Sequence, residues 1–385
     1  MKLTRTGVLA GLTAGLIAVT LTACSSSSKS TDKSSAAGGS SSAVASSSSS
    51  APALKCATGT LNSDGSTAQQ NAMTQWIKDY QNKCPGSTIN YSGGGSGQGI
   101  TDFKGGKVDF AGSDAALSAA KGETTAATAR CGSAALDLPM VVGPVAIAFN
   151  VKGVSKLTVT PALLNQIFYG KVTTWNDPAI AAVNKGVTLP STPITVFYRS
   201  DQSGTTQNFE TYLQAADAAG YSADVAAASQ TPSKVWNGTV GQGKSGSQGV
   251  QQGIQGADGA IGYIEYSFAV NGGLNTAAVD NGGGAVDLSA TSAGKAVGAA
   301  QVVGTGDDLS LKLDYATKAA GAYPIILVTY EIACTKYANP TQGALVQSFL
   351  SYTSGAGQDS LKQLGYAPLP SDLLAKVQAS VAKIS

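Results

Sequence analysis

The stretch Arg199-Ser200-Asp201-Gln202-Ser203-Gly204-Thr205-Thr206 joins an apolar run to an amphipathic segment. The run before it, Ile194–Tyr198, predicts a strand, and the segment after it, Asn208–Leu213, predicts a helix. A turn between a strand and a helix leaves free backbone N–H groups at the helix N-terminus, where the helix dipole favours an anion. The alternative is an ordinary capped helix with a surface ion pair, because such caps are common.

The residue types in this turn favour the anion site. Arg199 carries a planar guanidinium that suits tetrahedral oxyanions, and Asp201 is close enough in sequence to pair with it and hold it. Ser203 supplies a capping hydroxyl, Gly204 lets the backbone approach a ligand, and Thr205 adds a hydroxyl and an amide.

Towards the N-terminus, three more predicted strands end in turns with small polar or acidic residues. Strands that alternate with helices predict an α/β fold with mostly parallel sheets flanked by helices. In such sheets ligands bind beyond the carboxyl ends of the strands. The side chains that the sequence places at these ends are Ser66, Thr67, Ser96 and Asp114.

The first 24 residues have the pattern of a lipoprotein leader. A basic start is followed by the apolar run Gly7–Thr20 and by Leu21-Thr22-Ala23-Cys24. Because the run is too short for a normal spanning helix, we expect residues 1–23 to be a cleaved signal peptide and Cys24 to be lipidated. A retained anchor helix is the alternative. Residues 24–53 are rich in Ser and Ala and predict a flexible tether.

The remainder of the chain is longer than one typical domain, which predicts two. Two apolar runs, Leu138–Val151 and Tyr323–Tyr330, are predicted to be strands that cross between the domains. We therefore expect residues 54–142 and 323–385 to form domain I and residues 143–322 to form domain II.

Composition excludes several functions. The formal charge is +2, and loss of Lys2 and Arg5 with the signal peptide would bring it to zero, so no basic field attracts nucleic acid. The chain has no histidine, which excludes Ser-His-Asp and Cys-His catalysis and the usual zinc sites. We expect no metal and no cofactor. An enzyme that uses a Ser-Lys pair or two carboxylates stays an alternative, but no sequence motif supports it.

Four cysteines remain after Cys24: Cys56, Cys84, Cys131 and Cys334. An even number in an exported protein predicts two disulfides rather than four buried thiols. Four cysteines allow three different sets of disulfide pairs. Cys56–Cys84 and Cys131–Cys334 are favoured, because Cys56 should open the first strand and Cys84 should close the first helix.

The stretch Gly238–Ser245 matches the P-loop pattern, and Gly241, Gly243 and Gly246 match the dinucleotide pattern. Both patterns require a strand before the glycines and a helix after them. Trp236-Asn237 is not a strand end, and residues 246–259 predict a Gly/Gln loop with at most a short helix. The sequence therefore argues against a nucleotide site.

Taken together, the chain resembles the phosphate-binding lipoproteins of high-affinity phosphate ABC transporters, particularly those of actinobacteria. The stretches that carry this resemblance span nearly the whole mature chain in order. They are Asp64–Ala68, Gly95–Gly97, Val108–Asp114, Ile167–Ile180, Arg199–Thr206, Ile261–Tyr266 and Leu364–Pro370. The resemblance implies a type II periplasmic-binding-protein-like fold, with phosphate bound without water between the two domains.

The resemblance also implies a set of ligand contacts, in which Asp201 holds Arg199 and the Ser66 hydroxyl assists. The contacts are Thr67, Ala68, Ser96, Asp114, Arg199, Ser203, Gly204 and Thr205. Ala68 stands where many relatives have an aromatic residue, so only its backbone amide is carried over. The resemblance places the carboxylate of Asp114 beside an anion, which is favourable only if the anion donates a proton to it. Phosphate at neutral pH carries such a proton, and sulfate does not.

The implied function is capture of inorganic phosphate and delivery to the permease subunits of an ABC importer, with no enzymatic activity. We expect a monomer at the extracellular face of the membrane, held there by lipid, including palmitate, on Cys24. A receptor for another oxyanion, such as sulfate or molybdate, is the alternative within the same class. A cell-surface phosphoester hydrolase that uses Asp and Ser side chains is the alternative from another class.

Overall fold

The computed structural model describes residues 54–225 and 231–385. The predicted signal peptide 1–23, the predicted lipidation site Cys24 and the whole predicted tether 24–53 lie outside the described residues. Among the described residues, no helix is both long enough and apolar enough to cross a membrane.

The N-terminal part alternates strands with helices, as predicted. Its elements are β1 (Gly59–Gly65), α1 (Gln70–Lys83), β2 (Ser87–Ser92), α2 (Ser96–Lys104), β3 (Phe110–Ser113) and α3 (Glu123–Cys131). Helix α1 forms because Ala72, Met73, Trp76 and Tyr80 recur at helical spacing, and all four are buried against the sheet.

The middle part begins with a long buried strand and continues with shorter elements. They are β4 (Ala135–Asn150), β5 (Thr158–Val159), α4 (Pro161–Phe168), α5 (Pro178–Val183), β6 (Thr195–Arg199), α6 (Gly204–Ala216), α7 (Ala218–Asp224), β7 (Gln242–Lys244), α8 (Gly246–Gln255), β8 (Ala260–Glu265) and α9 (Tyr266–Asn271). Helix α4 starts at Pro161, because the Thr160 hydroxyl accepts the Leu163 N–H and Pro161 occupies the first turn.

The C-terminal part contains short strands and then a second long buried strand. Its elements are β9 (Asn275–Thr276), β10 (Ala278–Asp280), β11 (Ala285–Val286), α10 (Ala290–Val297), β12 (Gln301–Val302), β13 (Leu311–Lys312), β14 (Ile326–Cys334), α11 (Pro340–Thr353) and α12 (Ser371–Val381). All nine residues of β14 are buried.

One nine-stranded sheet runs through the molecule in the order β2-β1-β3-β14-β4-β8-β6-β7, with β9 also paired to β4. The strand pairs at its two ends are parallel, which confirms the predicted α/β class. At the centre, β4 and β14 are antiparallel to each other and to their outer neighbours β8 and β3. The sheet is therefore mixed, because the chain passes through its centre in both directions.

The buried apolar residues form two clusters. The first cluster holds Leu61, Ile89 and Phe110 from β1, β2 and β3, and the second cluster holds Phe197 and Phe209 from β6 and α6. Both β4 and β14 contribute to both clusters. The predicted division into domains at residues 142/143 and 322/323 stays a prediction.

The prediction for residues 246–259 was wrong. The structure has the ten-residue helix α8 there, preceded by β7. The helix forms because Val250 and Ile254, four residues apart, are both fully buried. The two nucleotide-binding patterns still lack the strand that should precede their glycines, because β7 lies inside the P-loop match and not before it.

The structure contains the favoured disulfides, Cys56–Cys84 and Cys131–Cys334. The first links the segment before β1 to Cys84 at the end of α1, with a sequence separation of 28. The second joins α3 to the last residue of β14, with a separation of 203.

We expect loss of the Cys131–Cys334 bond by double substitution to Ala to lower the free energy of unfolding by about 2–5 kcal/mol. The same change at Cys56 and Cys84 should cost about 1–2 kcal/mol less, because the shorter loop restricts the unfolded chain less. Urea denaturation of both variants and the parent measures the difference. A larger loss from the Cys56–Cys84 variant would contradict this order.

Candidate functional site

The turns that follow several strands converge on one region of the molecule. Ser66 and Thr67 follow β1, Ser96 begins α2 and Asp114 follows β3, while Arg199 ends β6 and Ser203 caps α6. The strands β1, β2 and β3 contribute to the first hydrophobic cluster, and β6 contributes to the second. All six side chains are nearly or fully buried, so the region is shielded from water.

Four hydroxyl groups surround the Asp114 carboxylate. Ser66 and Thr329 donate to Oδ1 at 2.5 and 2.8 Å. Thr205 donates to Oδ2 at 3.2 Å, and Ser96 donates to the same oxygen at 3.4 Å. The structure thus brings together four of the predicted residues, Ser66, Ser96, Asp114 and Thr205, around one acceptor.

Asp114 has only 3% of its surface exposed. Burial raises the pKa of its carboxyl group above the usual range, although the hydroxyls of Ser66 and Thr329 and the charge of Arg199 act against the rise. Because burial disfavours the charged form, the Asp114 carboxylate has a stronger tendency to accept a proton or a charge-assisted hydrogen bond than an exposed carboxylate has.

Arg199 and Asp201 form the predicted ion pair. Arg199 Nε donates to Asp201 Oδ1 at 2.7 Å, and Nη2 donates to Oδ2, so the contact uses both carboxylate oxygens. Burial acts to raise the pKa of Asp201, but the hydrogen bonds and the charge of Arg199 outweigh it and the pKa is lowered. The guanidinium, with 2% of the side chain exposed, is therefore held in one orientation.

Gly204 is required for the close approach of α6 to the Asp114 turn. A Cβ at this position would lie 2.6 Å from Asp114 Cβ and 2.7 Å from Ser96 Oγ. Ser203, before it, accepts the Thr206 N–H at 3.3 Å and so starts the helix. The first N–H groups of α6 have no partner inside the helix, and the helix begins at Gly204, next to Asp114 and Ser96.

The Ser66–Ala68 turn is held by its own hydrogen bonds. The Ala68 N–H donates to Ser66 Oγ at 3.0 Å, and the Tyr366 hydroxyl donates to the Ala68 carbonyl at 2.7 Å. Ala68 is fully buried, so the absence of an aromatic side chain leaves no exposed gap there.

Sequence reasoning missed Ser247, at the start of α8. Its hydroxyl lies 3.0 Å from Thr67 Oγ1 and accepts from Arg199 Nη1 at 3.4 Å, while its N–H donates to Thr67 Oγ1 at 3.1 Å. The preceding Gly246 N–H donates to Asp201 at 2.9 Å. The sequence signal was the Lys244–Ser247 segment, which is a further strand-to-helix turn.

Thr329 and Asn208 were also missed. Thr329 is a polar residue inside the buried strand β14, and its partner Asp114 lies 215 positions away in sequence. Asn208 donates to the carbonyls of Asp114 and Gly204, both at 2.8 Å, and so ties the end of β3 to the first turn of α6.

The region combines one buried cation, one buried acceptor, several hydroxyls and the N-termini of α2, α6 and α8. This arrangement suits a small anion that also carries a proton. Within residues 54–225 and 231–385, no group of three or more His, Cys, Asp or Glu side chains is placed to hold a metal ion.

Comparison with known proteins gives consistent matches. The family model for the PBP superfamily domain matches residues 47–356. The phosphate-binding protein PstS2 of Mycobacterium bovis is 43% identical over 329 residues, which cover 84% of this chain and 87% of that protein. The phosphate-binding protein PstS 3 of Mycobacterium leprae is 41% identical over 330 residues, which cover 85% and 87%.

Solved structures share the fold. The ancestral soluble variant of the human phosphate-binding protein has a TM-score of 0.66 and 25% identity, over 83% of this chain and 93% of that one. The high-affinity periplasmic phosphate-binding protein PfluDING, solved with phosphate, has a TM-score of 0.66 and 24% identity over the same shares.

We expect Ser247→Ala to lower the free energy of unfolding by about 1–3 kcal/mol, because Thr67 and Arg199 each lose a buried partner. Ser245→Ala is the matched control, since this exposed residue makes no capping hydrogen bond and should change stability by less than about 0.5 kcal/mol. Urea denaturation measures both. Equal effects of the two substitutions would contradict the structural role of Ser247.

Proposed function

This chain belongs to the phosphate-binding proteins of the PBP superfamily, and we propose that it captures inorganic phosphate at the region around Asp114 and Arg199. The observation that carries the proposal is the buried carboxylate of Asp114, placed among hydroxyls and beside the N-terminus of α6. The function is binding and not catalysis, in agreement with the relatives, which are named as binding proteins.

Asp114 supplies selectivity. A phosphate ion that carries a proton donates it to the carboxylate in a charge-assisted hydrogen bond. A fully ionised oxyanion such as sulfate has no such proton and is repelled by the buried negative charge. Molybdate and similar oxyanions are disfavoured for the same reason.

The donors come from several elements. Arg199 supplies the positive charge, and Asp201 orients its guanidinium group. The hydroxyls and backbone amides that we propose as further contacts are those of Ser66, Thr67, Ser96, Ser203 and Thr205, together with the amides of Ala68 and Gly204. Their burial supports binding of phosphate without its water shell, because each phosphate oxygen would meet fixed donors in a low-dielectric region.

We further propose that two domains, 54–142 with 323–385 and 143–322, close around the anion. The two hydrophobic clusters support this, since each could move as one body about β4 and β14. The closed protein would deliver phosphate to the permease subunits of an ABC importer. In this proposal the protein works as a monomer at the extracellular face of the membrane, anchored by lipid on Cys24.

We expect Asp114→Asn to bind sulfate about 10- to 100-fold more tightly than the parent, because the repelling charge is lost and the amide can donate. The change for phosphate should stay within about tenfold, because loss of the acceptor and loss of repulsion oppose each other. Calorimetric titration of both proteins with phosphate and sulfate, at fixed pH and salt, measures the four affinities.

Arg199→Ala is the control for this experiment, since loss of the buried cation should weaken both anions together. Failure of the parent to bind phosphate would contradict the proposed function. Continued rejection of sulfate by Asp114→Asn would leave phosphate binding in place but remove Asp114 as the selective group. Turnover of a chromogenic phosphoester by the parent would favour a hydrolase instead.

The lipid anchor is tested separately. Cys24→Ser should release the protein into the medium or leave the precursor uncleaved, because only a cysteine thiol can accept the lipid. Fractionation of cells into membrane and medium, with the parent as reference, measures the change. Unchanged processing and membrane retention of the variant would show that residues 1–24 do not act as a lipoprotein leader.

A further inference from the structure

An ion pair between Lys234 and Glu123 connects two parts of the chain that pack in different hydrophobic clusters. Lys234 Nζ lies 3.6 Å from Glu123 Oε1, and only 8% and 13% of the two side chains are exposed. Glu123 begins α3, whose Ala127 belongs to the first cluster, and Lys234 is close in sequence to Trp236 of the second cluster. Two charges that are largely withdrawn from water are stable there only while each has the other as its partner.

Lys234 is fixed to α6, the helix at the proposed phosphate site. The N–H groups of Ser233 and Asn237, on either side of Lys234, donate to the two carboxyl oxygens of Glu210 in α6, both at 3.0 Å. Between them, the Lys234 carbonyl accepts the Ser203 N–H at 2.8 Å. The backbone of Lys234 is therefore bonded directly to the residue that caps α6 and that we propose as a phosphate contact.

Glu123 is fixed to the other side of the site. Its Oε2 accepts the Ser118 N–H at 2.8 Å, which leaves Oε1 for Lys234. The helix that Glu123 begins ends at Cys131, and the disulfide to Cys334 joins that end to β14. Both charged groups are thus oriented by contacts on their own side, so the ion pair forms with little further loss of side-chain freedom.

The surrounding charges make Glu123 essential for this contact. Burial lowers the pKa of the Lys234 ammonium group, the charge of Glu123 acts against this change, and the charges of Lys121 and Lys104 add to it. Lys104 ends α2 and Lys121 lies just before α3, so both belong to the same part of the chain as Glu123. Without the carboxylate, Lys234 would meet only like charges there.

We propose that Glu123 and Lys234 are positioning residues: their ion pair forms when the two proposed domains close, and it holds Ser203 and the start of α6 against the Asp114 turn for phosphate. This inference rests on the proposed function. Lys234 acts through Ser203, and Glu123 acts through Lys234. In the open protein both side chains are hydrated, so the pair stabilises only the closed form that binds the anion, and phosphate affinity rises by that difference.

The test is calorimetric titration of Glu123→Gln and Lys234→Met with inorganic phosphate at fixed pH and salt. Each substitution should weaken phosphate binding by about 3- to 20-fold, because the closed form loses a largely buried ion pair. Glu123→Gln should have the larger effect, since it leaves the Lys234 ammonium group without a partner beside Lys104 and Lys121. The double variant should lose less affinity than the product of the two single effects, because the second change removes a charge that has no partner.

Two further variants separate positioning from general stability. Lys234→Arg keeps the positive charge and should bind phosphate within about threefold of the parent. Lys171→Met is the matched control, because it removes the ion pair with Asp224, and Phe168 and Tyr221 beside these two residues both belong to the second cluster. It should leave phosphate affinity unchanged. Without phosphate, the urea midpoints of Glu123→Gln and Lys234→Met should equal that of the parent, since the open protein lacks the pair.

Unchanged phosphate affinity in Glu123→Gln and Lys234→Met would overturn the proposal. An equal loss of affinity in Lys234→Arg and Lys234→Met would overturn it too, because the charge would then not matter. Lower urea midpoints without phosphate, at unchanged affinity, would show that the pair only stabilises the fold. If Lys234→Met does not fold, Glu123→Gln and Lys234→Arg decide. Absence of phosphate binding by the parent contradicts the proposed function itself.

Discussion

The burial of two opposite charges, the Asp114 carboxylate and the Arg199 guanidinium, is the constraint on which the rest of this structure depends. Each charge would cost several kcal/mol if it were left without partners in the interior. The protein satisfies Asp114 with the hydroxyls of Ser66, Ser96, Thr205 and Thr329, and it satisfies Arg199 with Asp201. These partners are short and polar, so they leave space at the ends of the strands where the turns meet.

The central strands make this arrangement possible. The antiparallel pair of β4 and β14 lies between the parallel strands on either side, so the ends of β1, β3 and β6 come to the same region. Because β14 also pairs with β3, Thr329 reaches the carboxylate that follows β3. Gly112 and Gly204 allow close approaches, at places where a Cβ would collide with a neighbouring side chain. The selectivity that we propose for phosphate depends on the same geometry, since an acceptor is useful only when donors surround it.

Much of the fold and part of the site could be predicted from the sequence. The α/β class, the capped start of α6, the Arg199–Asp201 pair and the favoured disulfides agree with the structure, because each depends on residues close in sequence or on few alternatives. The helix α8 was missed because its three glycines have weak helix preference, and buried Val250 and Ile254 outweigh that preference through tertiary packing.

The sequence by itself determined the strands that lead into the site, the polar turns that follow them, and that no histidine chemistry is available. Only the tertiary structure decided which turns meet. Ser247 contacts Thr67 across 180 positions, and Thr329 contacts Asp114 across 215. The physical reason is that helix caps and strand patterns are set by local backbone geometry, whereas these contacts depend on strand order, which is selected by burial of the whole sheet.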